Sequence, residues 1–123
     1  MTAAGVHHVA LRTKDVPRLE RFYEGAIGLM PRTRNGERSV WLAAGTTLVM
    51  IEQRETHEPE LPPGSMDLVA FAIEPSARAS HVERLAAHGV AIEQETAFTV
   101  YFRDPDGRRV ALSHYPEPAE PAA

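Results

Sequence analysis

A chain of 123 residues and 13.6 kDa has material for one domain and too little for two independent cores. Hydrophobic residues at 43% and charged residues at 24% sit near the globular average, which excludes a disordered tail. Thirteen Lys and Arg against seventeen Asp and Glu leave a formal charge of -4, the wrong sign for a protein held on nucleic acid by phosphate contacts, and the lack of cysteine removes disulfides, thiolate zinc sites, iron–sulfur clusters and cysteine nucleophiles.

The opening residues, Met1 to Gly5, show neither the basic nor the apolar region of an export signal. No later stretch approaches the roughly 18 apolar residues of a spanning helix, so a cytoplasmic protein without a membrane partner is expected. Gly5 to Thr13, GVHHVALRT, suits a strand. Asp15 then offers a helix N-cap, and Pro17 is tolerated in a first helical turn. Leu19, Phe22, Tyr23 and Ala26 recur at helical spacing to give one apolar stripe, and Gly28 supplies a left-handed stop, predicting a helix over about 16–27. Strands are expected over 29–34, 38–43 and 48–53, with Asn35-Gly36 turning the first hairpin.

The second half repeats this β-α-β-β-β order. Strands are predicted over 66–74, 90–95, 98–103 and 109–114, and a helix begins near Pro75-Ser76, carries Ala79, Val82, Leu85 and Ala86 as its stripe, and stops at Gly89. His8-Val9-Ala10-Leu11 matches Leu68-Val69-Ala70-Phe71 at an offset of 60, Gly28-Leu29 matches Gly89-Val90 at 61, and Leu48-Val49-Met50 matches Val110-Ala111-Leu112 at 62. Near-constant spacing across three anchors marks an internal duplication. One domain over 1–115 is therefore expected, with module 1 over about 5–53, a Pro-rich joint over 54–65, module 2 over about 66–114, and a loose or draped Pro-rich tail over 116–123. Neither module closes a core alone, so the two must pack together.

At this point the sequence resembles the vicinal oxygen chelate superfamily, which includes glyoxalase I, bleomycin-resistance proteins, fosfomycin-resistance enzymes and extradiol dioxygenases. The matching residues are His8-Val9-Ala10-Leu11, Asp15, Phe22-Tyr23 and Gly28-Leu29 in the first copy, and Tyr101-Phe102-Arg103-Asp104-Pro105-Asp106-Gly107 in the second. The resemblance implies an α+β fold in which paired βαβββ modules form an open, cup-shaped, eight-stranded mixed sheet with helices outside. It also implies a homodimer.

Metal-dependent members of that superfamily place His or Glu ligands on the first and last strand of each module, facing into the cup. The matching positions here are His8, Val49, Leu68 and Ala111, of which only His8 can bind a metal. A divalent site needs three or four protein ligands, so no metal and no other cofactor is expected, and His8 reads as a pocket histidine. Parity from Ala111 and the family motif turns Thr99 and Tyr101 inward, and Ser39 and Trp41 are their internal counterparts. The expected lining is thus His8, Ser39, Trp41, Val49, Leu68, Thr99, Tyr101 and Ala111, mostly apolar with two amphipathic aromatics, which suits a small organic ligand. Asp104-Pro105-Asp106-Gly107 reads as a structural turn, and Arg103, Arg108 and Arg109 beside it as a solvated charge cluster.

Three functions compete on this reading. The first is a metal-independent binding module. The second is a glyoxalase-like lyase, isomerase or dioxygenase using a divalent metal on His8 plus further ligands. The third is metal-free proton transfer, with His8 and Tyr101 as the candidate groups. No serine elbow and no phosphate-cradling glycine loop occurs.

Overall fold

The strand expected at the start of the chain is β1, His8–Thr13, in a computed structural model that describes residues 1–119. Asp15 caps the following helix by accepting the Arg18 amide at 3.1 Å, and Pro17 sits in the first turn, where a missing N–H costs nothing. Helix α1 spans Val16–Arg21, and the chain continues as a π-helical segment over Phe22–Ile27 until Gly28, at φ 92, ends it. Together they fill the expected 16–27 span, although its second half is π rather than α. Leu19, Tyr23 and Ala26 are fully buried and Phe22 is half-buried, as the stripe predicts.

Strands β2 (Met30–Asn35), β3 (Ser39–Ala44) and β4 (Thr47–Gln53) complete the first sheet in the order β1-β4-β3-β2, with β4 parallel to β1 and antiparallel to β3. Gly36, at φ 59, serves the turn between β2 and β3. The pairing of β2 with β3 shifts between Pro31 and Thr33, an irregularity on an edge strand where Pro and a bulge discourage further strand addition. Helix α1 packs on β3 and β4. Leu11, Val40, Leu42, Val49 and Ile51 share one face by register and are buried with Val16 and Leu19. Each such aliphatic contributes on the order of 1.5–3 kcal/mol by leaving water.

The chain divides into two compact units, Met1–Pro59 and the chain from Glu60 onward. In the second unit β5 (Leu68–Ala72) leads through a 3-10 turn at Pro75–Ala77 into α2 (Arg78–Ala87), followed by β6 (Gln94–Glu95), β7 (Thr99–Arg103) and β8 (Arg109–Ser113). Their order, β5-β8-β7-β6, reproduces that of the first sheet, with β5 and β8 parallel. Both sheets are four-stranded and mixed, and each unit carries the βαβββ order expected. Val100, Phe102, Val110 and Leu112 form the buried apolar face.

Two expectations need correction here, and the tail is described only at its start. The strand expected over 90–95 is reduced to Gln94–Glu95, because Val90 donates its amide to Leu85 O at 3.0 Å and so belongs to the helix stop at Gly89. The helical stripe is shifted: Leu85 is buried and His81 and Val82 are half-buried, whereas Ala79 and Ala86 are exposed. The start of the tail is fastened, with Glu117 N donating to His114 O at 3.0 Å; the part of that tail expectation over 120–123 lies outside the described residues. Among the described residues no helix is long and apolar enough to cross a membrane.

Candidate functional site

Each sheet has a second face, opposite the apolar one. In the first unit β4 is the central reference. Leu48, Met50 and Glu52 lie opposite His8, Ala10 and Arg12 of β1 and opposite Ala43, Trp41 and Ser39 of β3, and laterally paired residues point the same way. His8, Ser39 and Trp41 therefore share a face, as expected. Val49 does not: it pairs with Val9 and Leu42 on the α1 side and is 1% exposed, so its placement in the lining is corrected. The residue in the anticipated place is Met50. Trp41 opposite Met50 matches Tyr101 opposite Ala111, an offset of 61 where the last anchor had suggested 62. A one-residue slip in strand register exchanges the two faces.

His8 is exposed, and its Nδ1 lies 3.0 Å from Nδ1 of His7 with the rings edge to face. Ser39 is 9% exposed, and its Oγ is buried without a hydrogen-bond partner among the described residues. Trp41 and Met50 are half-buried. Glu52, on the same face, pairs with Arg12 at 3.6 Å, and Arg12 is gripped more closely by Glu58 at 2.7 Å. Glu58 accepts from Arg12 and from the Glu55 amide, which holds its carboxyl down to about 2.

In the second unit the register places Leu68, Ala111, Tyr101 and Thr99 on one face, as expected. Ala111 is fully buried, Tyr101 is half-buried, and Leu68 at the sheet edge is 41% exposed. The Thr99 hydroxyl is 2.9 Å from Ser113 Oγ and is thereby engaged within the sheet. Ser39 and Thr99 thus differ, one with its buried oxygen unpaired among the described residues and one with it bonded.

The arginines near the turn are not a solvated cluster. Arg108 binds Asp104 at 3.3 Å and Asp106 at 3.1 Å, while Asp104 Oδ1 accepts the Asp106 and Arg108 amides at 2.9 and 3.1 Å, so the turn is built structurally as the sequence suggests. Arg103 holds Glu93 with Nε at 2.6 Å and Nη2 at 3.1 Å, which lowers the Glu93 carboxyl below its usual range. Arg109 is 9% exposed and lies on the same face as Tyr101 and Ala111, with its guanidinium carbon 4.2 Å from the Tyr101 ring centre. Sequence reading missed Arg109 as a member of this face. The signal was available, since Arg109 stands two residues before Ala111 and alternation sends both side chains the same way.

The donor set does not fit a divalent metal centre. Of the facing positions His8, Met50, Leu68 and Ala111, only His8 offers a metal-binding atom of the usual kind. Among the described residues no group of three or more His, Cys, Asp or Glu is placed to hold an ion.

The family model described as Glyoxalase/Bleomycin resistance protein/Dioxygenase superfamily matches residues 5–112. No curated protein matches the chain. Among solved structures it is similar to a lactoylglutathione lyase from Agrobacterium tumefaciens, at 19% identity and TM-score 0.73, covering 94% of this chain and 96% of that one. A fosfomycin resistance protein from Mesorhizobium loti aligns at 22% identity and TM-score 0.74, covering 92% and 93%. A glyoxalase/dioxygenase from Nostoc punctiforme aligns at 24% identity and TM-score 0.75, covering 93% and 92%. At such identities the likeness concerns the fold.

Proposed function

The chain belongs to the glyoxalase/bleomycin resistance protein/dioxygenase superfamily, and from that premise we propose that it binds a small, partly apolar organic molecule on a sheet face, the one carrying Trp41 or the one carrying Tyr101, without a full catalytic metal site. The observation that carries this reading is the donor set. Where the first and last strands of each module would supply chelating side chains, the chain offers one imidazole at His8 and then Met50, Leu68 and Ala111. One neutral imidazole competes poorly with water for a divalent ion, so affinity comes instead from apolar contact and a few aligned hydrogen bonds.

The faces supply both. Trp41 and Tyr101 each combine a large apolar surface with a polar end, and both are half-buried. Ser39 Oγ is a buried hydroxyl with no partner among the described residues, a group that gains from a ligand hydrogen bond. A homodimeric cytoplasmic protein is part of the same proposal.

Indole is a suitable probe because it pairs an aromatic body with one N–H donor. It is expected to raise the melting temperature of the protein in a saturable manner, to do so equally with and without a chelator, and to lose the effect in Trp41→Ala or Tyr101→Ala. Stabilisation that vanishes with chelator, or that persists in both variants, would contradict the proposal.

A further inference from the structure

Arg109 of the second sheet is a buried charge with an incomplete set of partners. It is 9% exposed, and a buried guanidinium is normally paired fully because its desolvation is expensive. Even the exposed Arg34 takes both oxygens of Glu20 with its two terminal nitrogens, at 2.9 and 2.6 Å. Arg109 instead gives Nη2 to the neutral Gln94 Oε1 at 3.0 Å and places its guanidinium carbon over the Tyr101 ring. Its Nε is buried without a hydrogen bond among the described residues.

The nearest carboxylate is Glu93, whose Oε1 stands 3.5 Å from that Nε. Arg103 already holds both oxygens of Glu93, so one negative charge serves two positive ones. Asp104 and Asp106 bring the cluster to formal neutrality, but both bind Arg108 and Asp104 also takes turn amides, so the carboxylate within ion-pair distance of Arg109 is the shared Glu93. The guanidinium carbon lies over the Tyr101 ring, and a guanidinium with an incompletely paired N–H suits a planar oxyanion.

We propose that the ligand of the Tyr101 face carries an oxyanion group, such as a carboxylate, which Arg109 recognises while the apolar body of the molecule lies against Tyr101 and Leu68. This deepens the ligand-face reading and rests on it. The incompletely paired guanidinium gives the face a preference that apolar contact alone lacks.

Benzoate and benzamide are near-isosteres that differ in charge, and their titrations can be followed through the Tyr101 ring and Arg109 Nε–H resonances. Benzoate is expected to bind about tenfold more tightly than benzamide at low ionic strength, and the ratio to fall as salt is added. Arg109→Gln should bring the two affinities together, and Arg109→Lys should retain part of the difference, since the charge remains without the fork. If Arg109→Gln does not fold, the salt dependence of the wild-type ratio still decides. Equal binding of both probes, abolished by Tyr101→Ala, would overturn the anion preference and leave the ligand-face reading in place. Absence of saturable binding by either probe would overturn both.

Discussion

Single side chains divide into those whose role follows from near neighbours in sequence and those that need a distant partner. Asp15 belongs to the first group, since a helix cap is written within three residues and its bond to the Arg18 amide is present. Glu24 belongs to the second. Burial pushes its carboxyl up, and its hydrogen bond with Glu20 adds to the rise, while Arg34 from β2 holds the Glu20 carboxyl down. Nothing in the helix sequence announces that an arginine fourteen positions away in the neighbouring strand will choose Glu20 over Glu24. For Glu24 the folded pKa exceeds the unfolded one, so the native state binds the extra proton. Its contribution is favourable below the unfolded value and is lost as pH rises through the folded value. Glu24→Gln keeps a donor toward Glu20 without the charge. It should therefore raise stability at pH 7, with the gain shrinking as pH falls through the raised folded value and gone below the ordinary carboxylate range, as read by chemical denaturation across pH. A gain that is unchanged by pH would show that charge at Glu24 is not its source.

At the scale of elements, helix and strand identity were readable from periodicity, while boundaries and faces depended on events one residue wide. The 16–27 helix was visible as a stripe of Leu19, Phe22, Tyr23 and Ala26, yet its π-helical second half alters hydrogen bonding without altering that pattern enough to be seen. Counting Val49 instead of Met50 into the site came from aligning the last strands at an offset one residue too long. Both residues are apolar, so composition gave no warning. The α2 face shows the same weakness, because alanines at 79 and 86 fit either side of a helix. Leu85 anchors that helix, being fully buried, and Leu85→Ala should cost roughly 2–5 kcal/mol by leaving a cavity. Ala86→Ser, on the exposed side, should stay within about 0.5 kcal/mol. Urea titration of the two variants separates them, and comparable losses would place the buried face wrongly.

Across the whole molecule, the duplication carried the fold: three anchors with offsets near sixty predicted two βαβββ units, and two four-stranded sheets with the same strand order are present. The site was only partly readable. His8, Ser39 and Trp41 share one face, and Leu68, Thr99, Tyr101 and Ala111 share another, because alternation from a well-placed residue is reliable over a short strand. Arg109 was misjudged because a basic residue beside a turn suggests solvent, and only the register shows it turned onto Tyr101. On the function proposed here, a sheet face binds its ligand although the chelating side chains are absent. Titration of untagged protein with manganese, nickel and zinc, followed by removal of free ion and elemental analysis, tests it most directly. No ion should be retained at stoichiometric level, and His8→Ala should make no difference. One ion retained per chain, and lost in His8→Ala, would contradict it.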